Sequence, residues 1–295
     1  MWTTRKSPPA TAADLMKRNR VISLLKTPIF KVKEYLHRRP KPGFRSDFVT
    51  PELKGFASQR LVELEREGIV LLPAHFTGAR LEQLRSDFEK AVCGHPDLAN
   101  PDSLINEDIL HLSSAFVEAA LDDMMLEIVG GYYRKPFAVG RANAMRILPS
   151  PETRYGSYQW HHDSRGRQVH IMILLQDLPE HGQKMSYLRQ SHLRYYDHWR
   201  GLAEGSRFEK EVHGNPELAR LITHITGLAG TVGIFDANGL HSGNRCQTLT
   251  RDTLTFCYVT YRHFKKIKCR RADVSALPPV KRAVLTYNPF CEQLD

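Results

Sequence analysis

The chain has 295 residues, 41% hydrophobic and 25% charged, with a formal net charge of +10 and five cysteines. That length buries a full core, and the composition is ordinary for a globular protein in water. No apolar run reaches the ~18 residues a membrane-spanning helix needs. The cysteines are odd in number, scattered and without a Cys-x-x-Cys. A disulfide framework and a zinc site are therefore disfavoured, and a reducing, cytoplasmic setting is expected.

Charge divides the chain. Residues 1–45 hold 12 Lys+Arg against 2 Asp+Glu, so the remaining 250 carry 30 of each and are formally neutral. The basicity belongs to an N-terminal extension, 1–45, and a core over 46–295 lacks the basic stripe of a nucleic-acid reader. Within the extension, Leu15, Ile22, Leu25 and Ile29 recur at roughly helical spacing among Lys17, Arg18, Arg20 and Lys26. Three readings stand side by side: a solvated extension, contact with an anionic membrane surface or a partner, and an organellar transit peptide. Prolines and a glycine across 38–43 read as a linker, and the first folded element is expected near Pro51.

From there to about 135 the pattern is mainly helical: 53–67, then a short apolar strand over 68–73. Next comes a helix on Leu81, Leu84, Phe88 and Val92, and another over 116–126. After Pro136 short strands take over, at 139–148, 157–161, 168–178, 184–188, 231–235 and 253–262, with helix returning between 193 and 221. Many short strands without crossover helices predict an antiparallel architecture. The expected fold is mainly β with flanking helices, around a double-stranded β-helix (jelly-roll, cupin-like) core.

The densest polar cluster is Gln159-Trp160-His161-His162-Asp163. On an extended strand His161 and Asp163 share one side and His162 points to the other. An imidazole and a carboxylate so placed are two members of a 2-His-1-carboxylate facial triad, the set that holds non-haem iron with open positions. The third member must come from a later strand. His241 fits, after the apolar run 230–235 and a turn, and is followed by small residues. Ten residues on stands Arg251, with Thr253 two further along. An arginine there can take a carboxylate in a bidentate pair, which lysine does less well, and Thr253 can add a hydroxyl. Singly these signals are weak: a strand histidine is more often structural, and a lone arginine is usually a surface charge. It is their order on a β-rich background that carries the reading.

These segments resemble the phytanoyl-CoA dioxygenase family of Fe(II)/2-oxoglutarate oxygenases over most of 55–262. The residues 65–73 resemble its helix-to-strand entry, 159–163 its first metal motif, 174–192 a strand pair closing on Ser-His, and 230–244 its distal histidine segment. Gln190 stands where the family usually has glycine before Ser-His. The resemblance implies an Fe(II)-, 2-oxoglutarate- and O2-dependent dioxygenase. Its metal ligands would be His161, Asp163 and His241, with Arg251 and Thr253 on 2-oxoglutarate and Ala144, Arg146 and His162 as further candidates near that cosubstrate. Because Asp163 is retained, hydroxylation of a small molecule is the expected outcome rather than halogenation. Desaturation, epoxidation and cyclisation use the same iron site. Tyr155, Tyr158, Arg165 and Arg167 flank the metal motif in expected loops, where substrate contacts collect; an anionic substrate and plain solvated loops are both consistent with them. Two other classes share parts of this pattern: a non-catalytic cupin-like binding protein, against which the intact triad and Arg251 stand, and a basic-tail interaction protein using the barrel as scaffold, against which the neutral core stands.

Overall fold

The computed structural model describes residues 41, 47–93, 99–100, 102–150, 156–163, 168–193, 207–260 and 264–295. The basic extension, apart from Lys41, and the loop residues Tyr155, Arg165 and Arg167 lie outside them. No helix among the described residues is long and apolar enough to cross a membrane.

Helix α1 (Pro51–Glu67) begins on a proline, whose missing N–H would have no helical partner anyway. It stops at Gly68, whose φ of 82° suits glycine and whose N–H donates to the Leu64 carbonyl. β1 (Ile69–Leu72), α2 (Gly78–Cys93), β2 (Ala99–Asn100) and β3 (Ser103–Asn106) follow. The single helix expected over 116–126 is two, α3 (Ser114–Ala120) and α4 (Asp123–Tyr133). Asp122 makes the break: its carboxylate accepts from the Met125 N–H, capping α4. It also meets His75 Nε2 and Arg80 Nη1 at 2.9 Å. Burial works to raise this carboxyl, but these partners outweigh it and hold it down at about 2.

The strand-rich half contains β4 (Ala138–Ile147), β5 (Gln168–Leu174) and β6 (Met185–Leu188). Two short helices, α5 (Glu209–His213) and α6 (Pro216–Ala219), precede β7 (Ile222–Ile225), β8 (Val232–Asp236), β9 (His241–Gly243) and β10 (Arg251–Val259). β11 (Ile267–Arg270), α7 (Arg271–Ala276), α8 (Pro279–Thr286) and β12 (Cys291–Leu294) complete the chain. The strand expected over 157–161 does not form. Gly156–Tyr158 is a 3-10 turn, and His161 makes only an isolated antiparallel bridge with His241.

Two antiparallel sheets face each other: seven strands in the order β1-β8-β5-β10-β4-β3-β2, and three in the order β7-β6-β9. This is the double-stranded β-helix with flanking helices. Alternation along each strand gives the large sheet two chemically different faces. Ala142, Ala144, Ile171, Ile173, Val232, Ile234, Leu254 and Phe256 point outward into one apolar core shared with α1 to α4. Buried tyrosines tie that layer together: Tyr258 donates to the Ala120 carbonyl and Tyr133 to the Tyr258 carbonyl, each at 2.6 Å. The opposite face meets the small sheet, where Met172, Leu174 and Phe235 pack against Met185, Tyr187 and Ile225. Gly233 permits that approach, since a Cβ there would collide with Ile225 Cδ1.

Candidate active site

Between the sheets lies a cavity of about 600 Å³, in the usual size range for small-molecule sites. Its floor is the inner face of the large sheet, and the register gives its layout. Phe235 pairs with His170, His170 with Cys257 and Cys257 with Arg141, a row across β8, β5, β10 and β4. The next row runs through Met172, Thr255 and Asn143. At the far end of β10, Arg251 pairs with Ile147.

His161, Asp163 and His241 converge at one end, with one ligand atom from each lying within 4.8 Å of the others. Both Nε2 atoms are 3.7 Å from Asp163 Oδ1. The backbone holds them there: the His161 N–H donates to the His241 carbonyl at 3.0 Å, and the His241 N–H donates back at 2.8 Å. The Asp163 N–H donates to the Ala237 carbonyl at 2.9 Å. The turn that delivers His241 is pinned by Asp236, which accepts from Tyr132 Oη at 2.6 Å and from the Asn238 N–H at 2.9 Å.

Each imidazole is oriented through its other nitrogen. His161 Nδ1 lies 2.7 Å from the Gln159 carbonyl, and His241 Nδ1 lies 3.0 Å from the Gly239 carbonyl. A carbonyl accepts only, so Nδ1 carries the proton and Nε2 presents a lone pair to the cluster. Burial pushes His161 down to about 4, so it is neutral at neutral pH. Burial also acts to raise Asp163, but the surrounding His241, His170, His161 and Arg141 leave it below its ordinary value, hence ionised. Two oriented imidazoles and a carboxylate suit a divalent first-row metal.

Arg251 is buried, and Nη1 donates to the Gln183 carbonyl at 2.6 Å. Its Nε has no partner, and among the described residues it forms no ion pair. Burial pushes the guanidinium down to about 10, which still leaves it charged. A buried cation without a counter-ion is costly, and its fork matches a carboxylate. Thr255 Oγ1 and Asn143 Oδ1, both at the cavity, likewise lack partners among the described residues.

Among the remaining expected residues, Thr253 shares the face of Arg251 but is fully buried, and its hydroxyl donates to the Met145 carbonyl at 3.5 Å; Thr255 reaches the cavity instead. Ala144 and Arg146 are corrected. They lie on the outer face, Ala144 in the apolar core and Arg146 clasped by Asp252 (2.6 Å) and Glu89 (2.5 Å). Their inner-face neighbours Arg141, Asn143 and Met145 line the cavity. His162 is corrected as well: it points away, with its ring 6.0 Å from Phe208. Tyr158 does line the cavity, with the Arg245 guanidinium 3.9 Å over its ring. His170 was not anticipated. It is buried, its Nε2 lies 3.6 Å from Asp163 Oδ2, and its ring packs on Phe235. Nothing in 168–174 separates it from a core histidine, and only the register with Cys257 brings it to the metal end. Cys257 lines the cavity too, its thiol pushed up to about 12 by burial.

No family model matches the chain, and no curated protein matches it in sequence. The fold does match solved structures. EctD from S. alaskensis in its apoform is 20% identical over 75% of this chain and 83% of that chain, with a TM-score of 0.58. HygX from Streptomyces hygroscopicus with nickel, 2-oxoglutarate and hygromycin B bound is 18% identical over 76% of this chain and 94% of that one, with a TM-score of 0.53. The epimerase SnoN from nogalamycin biosynthesis, in complex with Fe3+, alpha ketoglutarate and nogalamycin RO, is 14% identical over 70% and 84%, with a TM-score of 0.54. At these identities the likeness establishes the fold.

Proposed function

We propose that this chain is an Fe(II)- and 2-oxoglutarate-dependent oxygenase of the phytanoyl-CoA dioxygenase type, acting on a small molecule. The observation that carries the proposal is one cavity holding both a metal-type donor cluster and a buried arginine without a counter-ion. His161, Asp163 and His241 would hold the iron, and Arg251 the far carboxylate of 2-oxoglutarate. Iron, 2-oxoglutarate and O2 together supply an oxidant for a C–H bond, with succinate and CO2 released. The protein's part is to keep the His161 imidazole neutral, to aim both imidazoles through Nδ1, to keep Asp163 ionised, and to neutralise the cosubstrate at Arg251. Thr255 and Asn143 offer further polar contacts along the way. The fold neighbours described with iron, nickel or 2-oxoglutarate bound support the same cofactors.

Hydroxylation is the default outcome. Because one neighbour is described as an epimerase, the first test reads the cosubstrate rather than any product. Anaerobically loaded protein is expected to bind one equivalent of Fe(II) and to convert 2-oxoglutarate to succinate in O2, with His161→Ala as the inactive control. Failure to bind Fe(II) would sink the proposal, and the non-catalytic binding protein would then be the better reading.

A further inference from the structure

Three arginines of the large sheet and its flanking loops are spoken for. Arg146 is held on the outer face by Asp252 and Glu89. Arg245 pairs with Asp102 and Ser150 and lies over Tyr158. Arg251 is the buried arginine assigned above to the cosubstrate. Arg141 is different. It is half-buried, lines the cavity, and forms no ion pair among the described residues.

Its position is fixed by the register. Arg141 stands opposite Cys257, and Cys257 opposite His170, in the row that ends at the metal cluster. Arg251 stands six residues earlier on β10 than Cys257, roughly 20 Å of strand away at about 3.4 Å per residue. The two arginines therefore stand at opposite ends of the cavity, Arg141 in the row at the cluster and Arg251 at the far end, and do not share one carboxylate.

The charge balance gives the same result, resting on the oxygenase reading. A dication, Asp163, the 2-oxoglutarate dianion and Arg251 sum to neutrality, and Asp102 is matched by Arg245. Among the charged groups at the cavity, Arg141 is left as a net positive charge, half-buried against a mostly apolar lining and so only partly hydrated. We infer that Arg141 binds an anionic group of the substrate, so that the substrate class is a small molecule bearing a carboxylate or phosphate. The planar guanidinium would clamp it in a bidentate pair and orient the molecule beside the iron.

The test uses anaerobic protein loaded with Fe(II) and 2-oxoglutarate, titrated with hexanoate, hexyl phosphate and hexanamide. Calorimetry and the charge-transfer absorbance of the iron–2-oxoglutarate pair are followed. At least one anion is expected to bind ten-fold or more tightly than the amide. Arg141→Gln should erase that preference and Arg141→Lys should keep part of it, with the 2-oxoglutarate Kd of either variant within two-fold of the parent. The tighter of hexanoate and hexyl phosphate identifies the headgroup. Absence of an anion preference in the parent protein, including no binding of any probe, overturns the inference. So does a ten-fold loss of 2-oxoglutarate affinity in Arg141→Gln, which would assign the residue to the cosubstrate. Should Arg141→Gln not fold, the parent preference and Arg141→Lys decide. If the parent shows no charge-transfer band, it is the oxygenase reading that has failed. The same titrations on metal-free protein then still decide the anion preference.

Discussion

The two faces of the seven-stranded sheet are built from the same strands and differ in almost every property. On β10 the outward residues are Leu254, Phe256 and Tyr258, packed with helices α1 to α4 into one apolar core. The inward ones include Arg251, Thr255 and Cys257, on a cavity with unpartnered polar atoms. One face stores stability, and the other keeps costly groups in place for a ligand. Substitutions on the two faces should therefore fail in different ways.

The largest separation is expected at the cluster. Asp163→Ala or His241→Ala should weaken Fe(II) binding by more than about 100-fold, beyond the range for outer metal partners, while far-UV circular dichroism stays unchanged. Unfolding by either change would mean that the two faces are not separable. The mirror case is Phe256→Ala. Truncating a fully buried phenylalanine should cost about 3–5 kcal/mol in a denaturant melt, with the Fe(II) stoichiometry of the folded fraction unchanged.

Acid tests the inner face as a whole. Burial pushes His161 and His170 down to about 4, whereas an unfolded chain takes up each proton near about 6.5. As pH falls, the unfolded state is protonated first. The metal-free protein should thus lose stability between about pH 6.5 and 4, by up to about 3 kcal/mol per histidine, and lose no more from these groups below that. A flat melting temperature across the window would contradict the burial of both rings. At the cosubstrate end, Arg251→Lys should raise the KM for 2-oxoglutarate ten- to hundred-fold, corresponding to about 1.5–3 kcal/mol of charge-assisted hydrogen bonding, with a small change in kcat. Steady-state kinetics in 2-oxoglutarate check this. The smallest effect is at Gln190, outside the cavity. Its φ of 64° is left-handed, so Gln190→Gly should relieve strain and raise the melting temperature by a few degrees for about 1 kcal/mol. Its side-chain contact to Glu67 at 3.3 Å is long enough to be a minor loss.

What could be read from the sequence follows the same division. His161, Asp163, His241 and Arg251 were legible because their order along the chain is itself a signal, even though 159–163 is not the strand that motivated the choice of His161 over His162. A reciprocal backbone pair with His241 orients His161 instead. Arg141, Asn143 and His170 were not legible. Strand β4 offers two phases, each with one arginine, and only Glu89 on α2 and Asp252 on β10 decide that Arg146 faces out. The split between α3 and α4 depends on His75 and Arg80 meeting Asp122 from over forty residues away in sequence. The three-residue strand β9 is too short for any periodicity. In the turn at 190, glycine would have been free to adopt the left-handed conformation, and glutamine adopts it at a cost.

Cys257 has a consequence for the durability of such a site. A thiolate beside a redox-active metal would compete as a soft ligand and would be the first group oxidised. Burial pushes this thiol up to about 12, so at neutral pH it stays protonated, a poor ligand and a poor nucleophile. The desolvation that sharpens the electrostatics of the cavity also makes its one lining thiol chemically quiet, so a metal held there would be spared wear by that sulfur.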